Sequence, residues 1–240
     1  MYWQREVIAG NTIEVKKYHS AKAMPRGLSR RQRYKQTSVS QEEVNRKNSE
    51  DMLRWLINSN FGYGDYHIVL NYQHDAGKQK SFEEIKADVK RFIRNVKKRY
   101  VSKGKDMKYI YVFEVGERGA RHTHMVVNGL DLKELQDCWK FGRITCTPLD
   151  RSGDYKRLAS YLMKYSDKTF RNVGVVMKTR YSRSRNLRLP VIRKTKVKKA
   201  DTFKKSPIVK KGYEIVSDSV ELGVDIFGYA FLKYTMVRLE

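Results

Sequence analysis

Two strand-like runs, "KYIYVFEV" (residues 108–115) and "HTHMVVN" (122–128), are separated by only six residues, "GERGAR". Runs rich in β-branched and aromatic residues, joined by so short a loop with two glycines, can hardly do anything but pair as an antiparallel hairpin. Side chains alternate along a strand, so His122 and His124 share one face, as do Ile110, Val112 and Glu114 on the other run. The hairpin brings Glu114 opposite His122 or His124, with Cβ atoms about 5 Å apart. Two imidazoles and a carboxylate make a three-ligand set with open positions for water or substrate. That mixed set suits Mn²⁺ or Mg²⁺ and would also accept Zn²⁺. A bare H-x-H also decorates exposed strands, and on these residues alone that alternative stays open. Glu117, in the turn, is the poorer ligand. The spacing of Cys138 and Cys146 matches no standard zinc site.

The rest of the chain supplies helices and further strands. Ser40 and Glu43 form a capping-box pattern ahead of Val44, Met52, Leu53, Leu56 and Ile57. A second box, Ser81 to Glu84, opens a helix whose Phe82, Ile85, Val89, Phe92, Val96 and Tyr100 recur at helical spacing and should cover one face of a sheet. "DYHIVLNY" (65–72) and "GRITCTPL" (142–149) read as strands, Asp131 with Glu134 opens a short helix, and "DYKRLASYLMKYSDK" (154–168) is another. "TIEVKKY" near the start and "YEIVSDSV" and "DIFGYAFLKYTMVRL" near the end are strand-like. The expectation is an α+β fold with a central, largely antiparallel sheet flanked by helices. Four regions follow: a basic N-terminal arm and helix (1–60), a core (61–168), a basic segment (169–211) and closing strands (212–240).

Helix 154–168 carries a Y-x-x-K-Y-x-x-K pattern. At about 100° per residue, Tyr161, Lys164, Tyr165 and Lys168 fall within one arc of about 100°. Two phenols one turn apart, flanked by ammonium groups, could serve as a nucleophile station for a phosphate. A surface helix in a chain rich in Tyr and Lys is the plain alternative.

Charge narrows the partner. Lys and Arg number 51 against 26 acids, a net +25, which favours a polyanion, nucleic acid ahead of an anionic membrane. The charge is segregated. Residues 168–211 hold sixteen Lys or Arg and one acid, Asp201, while 212–240 is net acidic. Within that stretch "KTRYSRSRNLR" interleaves Tyr181 with Arg180, Arg183, Arg185 and Arg188, which suits backbone contacts and base stacking. A solvated basic linker is the alternative. The sequence has no long apolar run and no secretory leader, and two unpaired cysteines fit a reducing cytoplasm. The absence of a Walker A pattern argues against a nucleotide cofactor.

Taken in order, "DYHIVLNY", "EVGERGARHTH" and "YLMKYSDK" resemble the three motifs of HUH-type rolling-circle replication initiators of small DNA phages and plasmids, in the branch with two tyrosines. The resemblance spans roughly residues 61–168. Thr123 stands where that family carries a bulky apolar residue. "NTIEVKKYHS" and "YSRSRNLRLP" also look like initiators from elements of Gram-positive bacteria. The resemblance implies a sheet of about five strands, of the RNA-recognition or ferredoxin-like kind. It also implies site-specific nicking and joining of single-stranded or hairpin DNA in a bacterial cytoplasm, with host helicase and polymerase as partners. His122, His124 and Glu114 would bind the metal, Tyr161 would attack, and Tyr165 would act in a later round. Lys164 and Lys168 would steady the phosphate. A transposase or relaxase shares this chemistry, although mobilising relaxases usually carry the tyrosine before the histidines. A non-catalytic RNA-recognition-like sheet would instead stack bases on Tyr111 or Phe113, and a zinc-stabilised regulator would hold zinc tightly.

Overall fold

Strand alternation and one amphipathic helix explain most of what surrounds the hairpin. The computed structural model describes residues 1–20, 39–73, 80–116, 119–172, 179–197, 207–224 and 228–239. The basic loop 25–35, Glu117 and the side chains of Ser40 and Lys168 lie outside the described residues. The chain divides into two units: Met1–Trp55 with Leu189–Glu240, and Leu56–Arg188.

In the second unit, β3 (Tyr66–Asn71), β4 (Tyr109–Val115), β5 (Arg121–Val127), β6 (Ile144–Pro148) and β7 (Ser182–Arg183) form an antiparallel sheet in the order β6-β3-β5-β4-β7. The expected hairpin is β4–β5, and Gly119 takes a positive φ of 76° in its connection. One face of the sheet is apolar. Ile68, Leu70, Tyr111, Phe113, Met125 and Val127 meet Ile85, Val89, Phe92, Val96 and Tyr100 of helix α2 (Phe82–Ser102). Ser81 caps that helix with Glu84 in the reciprocal arrangement its sequence implied. Trp139, just past the short helix α3 (Leu132–Cys138), closes the same core and donates from its indole to Asn71 O at 2.8 Å.

Thr123 lies in this apolar layer, fully buried, and its hydroxyl has no hydrogen-bond partner. A buried, unsatisfied hydroxyl costs about 1–3 kcal/mol, whereas an apolar group of the same shape does not. Thr123→Val is therefore expected to raise the unfolding free energy by about 1 kcal/mol, read from the denaturant midpoint at unchanged slope.

In the first unit, β1 (Tyr2–Ala9) and β2 (Thr12–His19) form a hairpin. They join β8 (Val191–Lys196), β9 (Tyr213–Ile215), β10 (Glu221–Val224) and β11 (Ala230–Arg238) in a six-stranded antiparallel sheet, with the main path β10-β11-β2-β1-β8 and β9 paired to β11. Ile13, Val15, Leu232, Tyr234 and Met236 form its core on one face. On the other face Val7 and Ala9 pack against Trp55 of helix α1 (Val39–Asn60), and Arg54 donates to the buried Glu14. The architecture is α+β, as the sequence reads. The second sheet is an addition, because the terminal strands pair with one another and not with the hairpin.

Candidate active site

The polar face of the five-stranded sheet follows from its register. Glu114 pairs with His122 across β4–β5, and Val112 pairs with His124. On the far side of β5, Val69 pairs with His124 and Asn71 with His122, so His67, two residues before Val69, shares their face. Sequence reasoning missed His67. The signal was its even spacing from Val69 and Asn71, but only the long-range pairing of β3 with β5 brings it to the histidines.

The side chains converge. His124 Nε2 donates to Glu114 Oε2 at 2.5 Å, with both side chains largely buried. With Nε2 so engaged, His124 Nδ1 is left to accept from His67 Nε2 at 3.2 Å. His122 Nδ1 is buried without a hydrogen-bond partner. Burial chiefly, then the neighbouring His124, pushes the His67 pKa down to about 4, and burial also lowers that of His122, against the raising effect of Glu114.

Those shifts have a consequence for stability. Between pH 6.5 and about 4 an unfolded His67 binds a proton that the folded one refuses, so stability rises with pH across that window. The cost is absent above the window, grows as pH falls through it and levels off below. Metal-free protein in EDTA is expected to lose stability as pH drops from about 6.5 to 4, and His67→Gln to flatten that slope, measured by thermal unfolding at stepped pH.

Helix α4 (Lys156–Asn172) lies over this face. Thr169 Oγ1 accepts from the Val115 amide at 3.0 Å, which ties the helix to the strand carrying Glu114. Ala159, Leu162 and Met163 bury the helix, while Lys164 is exposed. The Tyr165 ring stacks on His124 with centroids 5.4 Å apart. Tyr161 stands edge-on to His67, His124 and Tyr165, at 5.9, 5.5 and 4.6 Å. Tyr161 is 41% exposed. Partial burial first, then the hydrogen bond to Tyr165 and the charge of Glu114, push its pKa up to about 12.

The arginine-rich segment is anchored along β4. Arg183 pairs with Ile110, which places it on the Glu114 side of the sheet. Ser184 donates its amide to Tyr109 O at 2.9 Å, and Asn60 grips both backbone groups of Arg188. Ser166 donates to the carbonyl of Arg180. Tyr181 is half-buried, and burial raises its pKa, while Arg183, Arg185 and Arg188 are exposed. Residues 181–188 are thus not a floating linker. Of these side chains the strand pairing brings Arg183 to the Glu114 face.

Among the described residues no three His, Cys, Asp or Glu side chains stand as a finished metal shell. The donor set nevertheless fits a divalent ion. Glu114, His122 and His124 share one face, and the unpartnered His122 nitrogen is a buried polar atom lacking a ligand. Two cis ligands on one ion stand about 3 Å apart, so the Glu114–His124 contact has to open by about half an ångström. The cysteines do not compete. Both pack in or against the apolar core, and burial raises their thiol pKa values, the opposite of what zinc needs.

Residues 65–170 match a family of replication-associated proteins, the ORF2 type. The matched stretch is less than half of the chain. It holds β3 through most of α4, and so includes His67, Glu114, both hairpin histidines and both tyrosines. The match supports a part in replication initiation, with DNA as the partner. No curated protein and no solved structure matches the chain. None of the helices among the described residues is long and apolar enough to cross a membrane. Tyr111 and Phe113, which a base-stacking sheet would present to solvent, are 7% and 5% exposed beneath α2. That removes the RNA-recognition alternative on the residues it named.

Proposed function

We propose that the chain is a rolling-circle replication initiator that nicks and rejoins single-stranded or hairpin DNA through a phosphotyrosine. The observation that carries this is the packing of Tyr161 and Tyr165 against His124, the histidine bonded to Glu114. A merely decorative H-x-H would have no reason to sit between a carboxylate and two phenols.

Glu114, His122 and His124 would hold a divalent ion, Mn²⁺ or Mg²⁺. When bound, such an ion supplies Lewis-acid polarisation of the non-bridging phosphate oxygens. Tyr161 Oη attacks phosphorus. The new Tyr–O–P bond forms as the P–O3′ bond breaks, the phenolic proton is given up, and the departing 3′ oxygen takes a proton to become a free hydroxyl. The phosphodiester energy is kept in the 5′-phosphotyrosine, so a 3′-hydroxyl can reverse the step without a nucleotide cofactor. Tyr165 is placed for a second transfer. Lys164, exposed on the same helix, and Lys168 serve as cations for the scissile phosphate. Arg180, Tyr181, Arg183, Arg185 and Arg188 track the strand leading to it. The setting is a bacterial cytoplasm, with host helicase and polymerase extending the freed 3′ end.

The test incubates the full chain with Mn²⁺ and hairpin-bearing single-stranded DNA, including DNA from the source element, on a denaturing gel. A covalent protein–DNA band that EDTA abolishes is the expected result. Tight binding to that same DNA with no covalent band would overturn the reading.

A further inference from the structure

The six-stranded sheet has a second feature unrelated to its core. On the face that α1 covers at one end, the register sets Trp3 between Tyr18 and Lys196, and Arg5 between Lys16 and Lys194. Lys194 Nζ lies 4.4 Å from the Trp3 ring centroid and 5.9 Å from that of Tyr18, while Lys16 Nζ lies 5.7 Å from Tyr18. Lys194 and Lys196 are exposed, and Trp3, Tyr18, Arg5 and Lys16 are half-buried. The acids nearest this group, Glu14 and Asp51, are both engaged by Arg54, and Glu14 also meets Arg5 at 3.5 Å. Four cations and two flat rings are thus gathered on three neighbouring strands, with the adjacent carboxylates turned toward the arginines and not the lysines.

We propose that this end of the sheet is a stacking platform for single-stranded DNA, separate from the nicking site. Excess positive charge asks for a polyanion. Aromatic faces on an open sheet ask for bases whose own faces are free, which a duplex hides and a single strand offers. Bases lie on Trp3 and Tyr18, and Lys16, Lys194 and Lys196 take the flanking phosphates. The Lys194 ammonium that now covers Trp3 swings aside to a phosphate, a stronger partner than a ring. An initiator that holds one end covalently gains from a second grip on the displaced strand. The platform itself does not depend on the nicking reading, because all its residues lie in the other unit and its test requires no cleavage.

The protein carries its own probe. Of the three tryptophans, Trp55 and Trp139 are 5% and 2% exposed, so Trp3 is the one a base can reach. The full chain in EDTA is titrated with oligo(dT), following tryptophan fluorescence together with the anisotropy of a labelled oligonucleotide. Saturable quenching is expected, and Trp3→Phe should remove it. Trp3→Ala should weaken binding about tenfold. Lys194→Gln with Lys196→Gln should make the slope of log K against log salt shallower by about 1.4, at about 0.7 per phosphate contact. Both lysines are exposed, so this double variant tests the proposal even if the Trp3 variants do not fold. Binding without quenching, an unchanged salt slope, or equal Trp3-dependent quenching by a duplex of the same length would each overturn it.

Discussion

Tyr161→Phe is expected to abolish the covalent protein–DNA adduct while leaving DNA affinity within about twofold. The expected loss in cleavage is at least about a thousandfold, because removing the nucleophile removes the bond-forming atom and not merely an orienting contact. Tyr161 is the more suitable first nucleophile on two grounds. It is 41% exposed, so a phosphate can reach its oxygen, whereas Tyr165 is half-buried with its ring flat against His124. The residues around Tyr161 do not activate it by themselves. Its pKa is pushed up to about 12, so at pH 8 about one molecule in ten thousand carries the phenolate. Tyr165 contributes to that rise through its hydrogen bond. Tyr165→Phe is thus expected to retain first-strand cleavage, and its rate should climb with pH from a lower starting point than in the parent protein. Cleavage measured from pH 6 to 10 checks the sign, since the reactive form is the anion and the rate must rise with pH. An adduct that survives in Tyr161→Phe and disappears in Tyr165→Phe would exchange the two roles.

How far the sequence foretells this site depends on how local each relation is. Glu114 and His122 face each other because a six-residue loop leaves β4 and β5 little choice of register, and that is readable from spacing. The helix pattern of Tyr161 and Tyr165 is equally local. What puts those phenols on His124 and not in solvent is the docking of α4 on β4, and no periodicity within residues 154–168 announces it. His67 joins through pairing across 57 positions of chain, a relation set by the whole sheet. The same reason hides the second sheet. β1 pairs with β8, and β2 with β11, so strands from both ends of the chain complete each other. Read singly, "TIEVKKY" is a strand with no partner. Lys194 and Lys196 likewise read as part of a basic stretch until β8 is laid beside Trp3. The aromatic pair Tyr111 and Phe113 could point either way on sequence, and the amphipathic face of α2 decides that they are core.

Glu114→Gln separates charge from shape at the centre of the site. The amide is nearly isosteric and its oxygen still accepts from His124 Nε2, so the 2.5 Å contact and the fold around it should survive with a small change in melting temperature. What disappears is a full negative charge from a set whose other members, His122 and His124, are imidazoles. Loss of an outer partner of a metal ligand typically costs 10–100-fold in affinity, and loss of an anionic ligand should exceed that. Mn²⁺ affinity by calorimetry is therefore expected to fall by more than about a hundredfold, with cleavage falling in parallel and rescued in part by raising Mn²⁺. The same substitution removes one of the influences holding the Tyr161 phenol up, so that pKa should move down even as cleavage is lost. Those opposite movements are the informative result. If Glu114 served only to raise the tyrosine pKa, Glu114→Gln would speed cleavage at neutral pH. If it serves to bind the ion, cleavage falls although the phenol has become easier to ionise.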